Sequence, residues 1–229
     1  MNKMLELKNV SKTYGIGEAT VTALRDVTLS ISEGEFTAFA GSSGSGKTTL
    51  LNLIGGLDTP THGQICLENQ NLATLSSRQL ADLRRKKLGF IFQTFNLLPV
   101  LTGIENIEYP LLRMGLDKTE ITKRSIEAVT RVGLKTVMHH RPNQMSGGQR
   151  QRIAIARALV HHPKIILADE PTANLDKKTA ADIISLMRSL NQESGVTFLF
   201  STHDPMIIES ARRVIHVSDG HILSSGTGA

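Results

Sequence analysis

The sequence is poor in cysteine and in large aromatic residues: its 229 residues include one cysteine, two tyrosines and no tryptophan. The single cysteine, Cys66, excludes a disulfide within this chain and a zinc site built on several thiolates. The shortage of aromatic rings leaves few platforms for stacking nucleobases, so we expect no nucleic-acid partner. The densest basic cluster, residues 84–87, is interpreted as the solvated end of a helix rather than as a patch for nucleic acid or anionic lipid headgroups.

Long hydrophobic runs are also missing. The longest, such as residues 165–168 and 196–200, are far below the roughly 18 apolar residues that cross a bilayer. A charge follows the N-terminus before any apolar region forms, so we expect no secretory signal and a cytoplasmic protein. A hydrophobic content of 40%, a charged content of 21% and a net charge of +5 are ordinary for a globular chain. The length suits one large domain, or one domain with a small appended lobe.

What the sequence does contain is a glycine-rich stretch between a short apolar run and a helical pattern. The stretch consists of Gly41, Ser42, Ser43, Gly44, Ser45, Gly46, Lys47 and Thr48. It matches the pattern G-x-x-x-x-G-K-[ST], with residues 36–40 predicted as a strand before it and a helix from Thr49 after it. Glycines let successive amides converge on a phosphate, while Lys47 supplies charge and the Thr48 hydroxyl suits Mg²⁺. The pattern predicts a nucleoside-triphosphate site rather than a plain surface turn.

Polar residues end three further predicted strands, at Gln93, at Asp169–Glu170 and at His203. In open α/β sheets, ligands bind at the carboxyl ends of the strands. We predict that Asp169 anchors Mg²⁺, whereas Glu170, on the opposite face, orients or deprotonates a water that attacks the γ-phosphate. Gln93 alone is a weak signal. A lone histidine is more often structural, but the presence of polar residues at the ends of the other strands favours a functional role for His203.

A second glycine-rich helix start lies about a hundred residues after the first. It consists of Ser146, Gly147, Gly148 and Gln149. Serine is a good N-cap, and the two glycines permit close backbone approach to a ligand. Arg150 and Arg152 follow in the first turn, where the helix dipole disfavours cations, so we hypothesise that an anion occupies this helix start. The alternative is a glycine-rich turn that feeds an ordinary helix.

The remaining patterns divide the chain into strand-rich and helical blocks. Residues 4–10 and 21–31 predict strands, with a turn at residues 12–15 between them. Tyr14 lies in this region and is equally consistent with a base-stacking ring and with a half-buried strand residue. Residues 103–133 have helical periodicity and predict a separate lobe.

In this order, the motifs resemble those of the ATP-binding subunit of an ATP-binding cassette (ABC) transporter. The corresponding segments are residues 41–48 (Walker A), Gln93 (Q-loop), residues 146–149 (signature), residues 165–170 (Walker B), residues 173–176 (D-loop), His203 (switch histidine) and Tyr14 (A-loop). Met145 stands where the family usually has leucine, a residue of similar size. Within the family, residues 53–58, 92–99 and 171–176 resemble the lipoprotein-release and macrolide-export branch (LolD and MacB type), with FtsE-type cell-division cassettes as close relatives.

The resemblance implies an α/β fold: a P-loop NTPase core with a mostly parallel sheet and flanking helices, an N-terminal antiparallel β subdomain and an inserted α-helical subdomain. It implies one ABC ATPase domain over residues 1–229. The core and the β subdomain would take about residues 1–92 and 160–229, and the helical subdomain about residues 94–159.

The resemblance also implies an ATP-hydrolysing motor. Residues 41–49, which include Thr49, would bind the phosphates; Thr48, Gln93 and Asp169 would hold Mg²⁺; Glu170 and His203 would be catalytic; and Tyr14 would stack on adenine. Residues 146–149 would contact ATP bound by a second copy in a head-to-tail dimer. The other partner would be an integral membrane permease with an extracytoplasmic domain, which would hold the chain on the inner face of the cytoplasmic membrane.

Three other classes of ATPase share these motifs. A chromosome-maintenance ATPase would need a long heptad insertion between the two glycine-rich stretches, and the sequence has none. A tandem translation-factor ATPase would carry two complete motif sets, whereas this sequence carries one. An ATP-dependent scaffold with slow turnover stays open, because an intact Glu170 and His203 argue against a dead site but not against a slow one.

Overall fold

A computed structural model describes residues 3–15 and 20–227. The strands are β1 (Lys3–Tyr14), β2 (Val21–Ser32), β3 (Phe36–Ala40), β4 (His62–Leu67), β5 (Gln70–Asn71), β6 (Leu88–Ile91), β7 (Ile165–Asp169), β8 (Thr197–Thr202), β9 (Arg213–Ser218) and β10 (His221–Thr227). The α-helices are α1 (Lys47–Ile54), α2 (Ser77–Lys87), α3 (Gly103–Glu108), α4 (Lys118–Arg131), α5 (Gly147–Leu159), α6 (Lys177–Ser194) and α7 (Pro205–Ser210). Short 3-10 turns occupy Leu72–Thr74, Tyr109–Arg113, Lys135–Val137 and Pro142–Gln144.

The larger sheet has the strand order β10-β9-β3-β8-β7-β6. Its strands pair in parallel, apart from the antiparallel pair of β9 and β10. Strands β3 and β8 are buried along their whole length, as is typical of parallel strands covered on both faces. The predicted α/β fold with a mostly parallel sheet is therefore confirmed.

The smaller sheet is antiparallel and has the strand order β2-β1-β4-β5. The turn predicted at residues 12–15 is wrong, because β1 continues to Tyr14, which pairs with Val21. Lys12 pairs with Leu24 of β2 and also forms an ion pair with Asp58, whose Oδ1 lies 2.6 Å from the Lys12 Nζ. A partner 46 residues away in the chain is invisible to a local pattern.

Two hydrophobic cores lie on the two faces of the parallel sheet. Alternate residues of β7 contribute to them: Ile166 and Ala168 face the core shared with α5 and α6, while Ile165 and Leu167 face the core shared with α1 and the smaller sheet. The carboxyl ends of the strands therefore emerge between helices on one edge. No helix in the described part of the chain has both the length and the hydropathy that crossing a membrane requires.

The helical block predicted from residue 103 onward begins with α3 and α4. Residues 94–159, all of which the structure describes, contain helices and turns and no strand. Helix α5 packs on α3 and α4 but also on α6 and β6, so the proposed division into subdomains stays a prediction. The basic cluster at residues 84–87 forms the last turn of α2, as interpreted from the sequence.

His161 follows α5 and is buried, with only 7% of its surface exposed. Its Nε2 lies 3.0 Å from the Leu88 carbonyl oxygen, to which the neutral Nε2–H tautomer donates. Its Nδ1 has no partner among the described residues. Burial lowers the pKa of the His161 imidazole, because protonating Nδ1 would bury a charged, unpaired N–H.

We expect His161 to make the folded chain less stable in mild acid. Below its ordinary pKa near 6.5 the unfolded chain takes up a proton that the folded chain refuses, so the free energy of unfolding falls as the pH drops through that value. The variant His161→Gln should lose less stability between about pH 8 and pH 5.5 than the wild type. Urea unfolding across this range measures the difference, and parallel stability curves for the two proteins would contradict the prediction.

Candidate functional site

The glycine-rich loop leads from β3 into α1 and encloses the Lys47 ammonium. The Lys47 Nζ donates to the carbonyl oxygens of Gly41 and Ser42 at 2.8 and 2.7 Å, and the residue is only 5% exposed. The cation is thus fixed inside the loop by two backbone groups. This arrangement presents a fixed positive charge where the backbone amides of the loop also converge.

Two glycines of the loop leave no room for a side chain. Gly46 has φ +107°, and a Cβ there would lie 2.4 Å from the carbonyl oxygen of Ala23. A Cβ on Gly41 would lie 2.2 Å from the carbonyl oxygen of Val217. The loop is therefore packed against the smaller sheet on one side and β9 on the other, which preserves its curled backbone.

The start of α1 differs from that of the other helices. Six of the seven α-helices in the described residues have a side-chain N-cap: Ser76, Thr102, Asp117, Ser146, Asp176 and Asp204. Helix α1, with Gly46 at its N-cap position, has no side-chain cap among those residues. The buried Ser45 hydroxyl also lacks a partner there. Free amides and an orphaned hydroxyl fit a bound phosphate.

The Thr48 hydroxyl faces the Asp169 carboxylate across the gap between α1 and β7. The Thr48 Oγ1 lies 3.1 and 3.2 Å from the two carboxylate oxygens of Asp169. These are the hard oxygen ligands that Mg²⁺ prefers, and Mg²⁺ completes its shell with water and substrate phosphates. Nowhere in the described residues do three His, Cys, Asp or Glu side chains cluster for a metal. The Thr48 hydroxyl and the Asp169 carboxylate fit a Mg²⁺ that is held jointly with a phosphate.

Glu170 and His203 are brought together by neighbouring strands. The Glu170 carboxylate is half-buried, and its Oε1 lies 2.7 Å from the Nδ1 of the exposed His203 ring. An ionised carboxylate only accepts, so this contact places the proton on Nδ1. Glu170 has φ +44°, a left-handed conformation that is strained in a residue with a Cβ. Strain of this kind is common at functional sites.

Gln93 follows β6 with its side chain exposed. Its backbone carbonyl accepts from the Asn174 Nδ2 at 2.8 Å, which joins it to the segment after β7. The next residues are also tethered, because the Arg157 guanidinium donates to the carbonyl oxygen of Phe95 at 2.8 Å. The segment after Gln93 is therefore linked to α5.

The second glycine-rich start opens α5 and is closed by its own side chains. The Ser146 Oγ accepts from the Gln149 N–H at 3.3 Å, and the Gln149 Oε1 accepts from the Ser146 N–H at 2.9 Å. The Ser146 hydroxyl proton remains available as a donor. A Cβ on Gly148 would lie 2.5 Å from the Thr179 Cγ2, so this start packs against α6 of its own chain. The predicted N-cap at Ser146 is confirmed.

Tyr14 lies at the end of β1 with 42% of its surface exposed. Its hydroxyl donates to the Asp58 Oδ2 at 2.8 Å, and the Lys12 Nζ lies 4.8 Å from its ring centroid. Burial, together with the hydrogen bond to Asp58, raises the pKa of the Tyr14 phenol. Burial works against the ionised form of Asp58, but hydrogen bonds from Lys12 and Tyr14 hold the pKa of that carboxyl below its ordinary value. Asp58 was missed in the sequence, because only the fold brings it to Tyr14.

Comparison with known proteins decides the family. The family model described as ABC transporter matches residues 24–173, which run from β2 through the glycine-rich loop to the turn after Glu170. The chain belongs to the ABC transporter family. The predicted resemblance is confirmed, and the chain is an ATPase of this family with the P-loop NTPase fold.

Similar proteins cover the whole of this ABC ATPase. It is 47% identical to the uncharacterized ABC transporter ATP-binding protein MJ0796 of Methanocaldococcus jannaschii, over 96% of this chain and 95% of that protein. It is 44% identical to the macrolide export ATP-binding/permease protein MacB of Syntrophobacter fumaroxidans, over 99% of this chain. The chain spans only 32% of that MacB protein.

A solved structure is similar over nearly the full length of the ABC ATPase. It is the dimeric structure of a post-hydrolysis state of the ATP-binding cassette MJ0796 bound to ADP and Pi, with 45% identity, a TM-score of 0.90 and 99% coverage of both chains. The cbiO1 structure from Clostridium perfringens, part of the transporter complex cbiONQ, is 29% identical with a TM-score of 0.90 and covers 100% of this chain and 90% of that one.

Proposed function

We propose that this chain is the ATP-hydrolysing motor of a membrane ABC transporter of the lipoprotein-release and macrolide-export type, working as a dimer around two ATP molecules. The observation that carries the proposal is the meeting, at one edge of the parallel sheet, of Lys47, the Thr48–Asp169 pair and the Glu170–His203 pair. The family membership and the similar MJ0796 dimer bound to ADP and Pi support it.

In the proposed reaction a water attacks the γ-phosphorus of ATP. The Glu170 carboxylate takes a proton from the water as its oxygen bonds to phosphorus, and the bond from phosphorus to the β,γ-bridging oxygen breaks to leave ADP. Lys47 and the loop amides neutralise charge on the phosphates. The His203 ring, with Nδ1 donating to Glu170, can also donate to the γ-phosphate through Nε2 when both of its nitrogens carry protons. Thr48, Asp169 and Gln93 would hold Mg²⁺, which supplies further positive charge to the phosphates.

The dimer places the start of α5 on ATP bound by another copy. Within one chain that start packs against α6 at Thr179, whereas the P-loop packs between the smaller sheet and β9. A two-fold dimer lets the Ser146 hydroxyl and the Gly147 amide of one copy approach the nucleotide of the other. Filling each interface with triphosphate closes the pair, and hydrolysis followed by phosphate release removes charge that bridges it.

Tyr14 is proposed to stack on adenine. The variant Tyr14→Ala should raise the KM for ATP by about 5- to 150-fold, since stacking one base on a ring contributes about 1–3 kcal/mol. Tyr14→Phe is the matched control: it keeps the ring, loses the hydrogen bond to Asp58 and should change the KM little. Steady-state ATPase assays measure both variants, and an unchanged KM in Tyr14→Ala would exclude the stacking role.

The permease is proposed to dock on an open groove of about 680 Å³ beside α2, β6 and the Tyr109–Arg113 turn. Tyr109 and Leu112 in this groove are 56% and 62% exposed. Val100, in the apolar stretch after Gln93, is 73% exposed, whereas Leu97 packs on the core. Arg157 lines the groove and donates to the Phe95 carbonyl oxygen. It therefore connects the groove to the segment that follows Gln93. A permease bound there would hold the chain on the inner face of the cytoplasmic membrane.

A carboxylate placed in the groove should block docking. In Leu112→Glu, burying the new charge against an apolar surface should weaken binding to the permease at least tenfold, with basal ATPase activity unchanged. Ile126→Glu, at an exposed apolar residue of α4 outside the groove, is the control. Co-purification with the permease encoded in a neighbouring reading frame measures binding. Equal recovery of both variants would place the docking surface elsewhere.

Turnover with and without this permease also separates the motor from the slow scaffold, whereas the identity of the co-purified permease separates it from the FtsE-type cassette. A motor of the macrolide-export type, as in the ATP-binding/permease relatives named MacB, should hydrolyse ATP faster with its permease. A scaffold should retain the permease without that stimulation. The extracytoplasmic domain of the permease is part of the same proposal and can be read from the partner's own sequence.

A further inference from the structure

A buried glutamine joins helix α5 to the turn that follows Glu170. Gln151 is the fifth residue of α5 and has 0% exposure. Its Nε2 donates to the Pro171 carbonyl oxygen at 2.6 Å. Its Oε1 has no hydrogen-bond partner among the described residues. Burying an amide with one of its polar groups unpaired is unfavourable compared with an apolar residue of the same size, so stability alone does not account for a glutamine here.

The turn that Gln151 holds is the one that aims Glu170. Glu170 has φ +44° and accepts at its carbonyl oxygen from the Ala173 N–H at 3.2 Å. Pro171 has no N–H, so its carbonyl oxygen is the only backbone group of this residue that can form a hydrogen bond. On the other side the Thr172 Oγ1 donates to the Asp204 Oδ2 at 2.6 Å. A strained turn is thereby clamped between α5 and the segment that follows His203.

The start of α5 is also closely packed against α6. A Cβ on Gly148 would lie 2.5 Å from the Thr179 Cγ2, whereas one on Gly147 would lie at ordinary contact distance, 3.4 Å from the Leu175 Cδ2. Close-packed interiors transmit small shifts rather than absorb them. A displacement of the α5 start therefore reaches Gln151, about one turn further along the helix.

We propose that Gln151 is a positioning residue that couples the two ATP sites of the dimer. The inference rests on the proposed function, in which the start of α5 contacts ATP bound by the partner copy, while Glu170 acts on ATP bound by its own chain. Seating α5 on the partner's nucleotide fixes the Pro171 carbonyl through Gln151. This in turn fixes the Glu170 carboxylate against its water. Each site thus completes its catalytic geometry when the other site is filled.

The first test removes the hydrogen-bond donor at nearly constant volume. Gln151→Met should lower kcat about tenfold and leave the KM for ATP within twofold, because one hydrogen bond that orients the base is lost while the P-loop is untouched. Gln192→Met, at an exposed residue of α6, is the matched control and should behave as wild type. Combined with Glu170→Gln, the Gln151→Met change should still allow ATP-dependent dimers in gel filtration.

The second test uses a titratable replacement. In Gln151→Glu, a protonated carboxyl can donate to the Pro171 oxygen, but an ionised one cannot. Burial raises the pKa of such a carboxyl, so the protonated form is reachable near neutral pH. The kcat of this variant relative to wild type should approach one at about pH 5.5 and fall several-fold by about pH 8.5. Gln192→Glu should show a flat ratio. Thermal unfolding of Gln151→Glu across the same pH range shows whether the fall in kcat is a loss of folded protein, because ionising a buried carboxyl also destabilises the fold.

The outcomes separate the coupling from the proposed function. A flat ratio for Gln151→Glu, a wild-type kcat in Gln151→Met, or a raised KM with unchanged kcat would each overturn the coupling. If Glu170→Gln still abolishes turnover in the same experiments, the proposed motor stands without it. A wild-type chain that neither hydrolyses ATP nor dimerises with it would instead overturn the proposed function.

Discussion

Replacing Glu170 with glutamine should reduce ATP turnover by about 100- to 10,000-fold while ATP binding is retained, because general-base catalysis contributes a factor of this size. Glutamine keeps the shape of the side chain but cannot take a proton from water. The Glu170 carboxylate lies 2.7 Å from the His203 Nδ1, and the residue has a positive φ. With hydrolysis blocked and the triphosphate retained, the variant should accumulate as an ATP-dependent dimer.

Phosphate release and gel filtration with ATP and Mg²⁺ measure these two effects together. Glu209→Gln, at an exposed carboxylate of α7 close in sequence to His203, is the matched control and should hydrolyse ATP at the wild-type rate. Wild-type turnover in Glu170→Gln would show that Glu170 is not the general base. A monomer at saturating ATP and Mg²⁺ would remove the nucleotide-sandwich dimer but leave the base assignment intact.

Replacing Lys47 with alanine should weaken ATP binding on the order of 10- to 100-fold and also abolish measurable turnover. A hydrogen bond to a charged group contributes about 1.5–3 kcal/mol, and the ammonium also stabilises the charge of the transition state. Lys47 cannot be replaced by a neighbouring cation, since its position depends on the carbonyl oxygens of Gly41 and Ser42. Titration with a fluorescent ATP analogue measures the affinity.

Lys123→Ala removes an equal charge from an exposed position of α4 and controls for the change in net charge. It should bind nucleotide as the wild type does. Thermal unfolding without nucleotide shows whether the Lys47 variant is folded. A folded Lys47→Ala with unchanged affinity would show that the loop amides alone hold the phosphates.

The sequence predicts the structure around the candidate site well where that structure depends on a local pattern. The P-loop, the strand-end acids at Asp169 and Glu170, and the N-cap at Ser146 each lie within a few residues of the element that positions them. Because a buried strand and a following polar group are adjacent in the chain, the edge of the sheet at which they gather follows from the parallel topology.

The parts that could not be predicted depend on contacts between distant residues. Asp58 reaches Tyr14 across 44 positions, and Gln151 reaches Pro171 across 20. The extension of β1 also depends on its pairing with β2, in which Tyr14 lies opposite Val21. None of these pairs has a periodicity or a spacing that singles it out, since packing of the finished fold brings them together. Such residues become visible only with coordinates.

The bare start of α1 makes nucleotide part of the thermodynamics of folding as well as of catalysis. A ligand that binds only the folded state at a hundred times its dissociation constant adds about 2.7 kcal/mol to the free energy of unfolding. That increment is a large share of the 5–15 kcal/mol by which ordinary domains are stable. In a cell depleted of ATP the free energy of unfolding of this protein is therefore lower. Core substitutions that are tolerated during growth would then first cause unfolding and degradation during starvation.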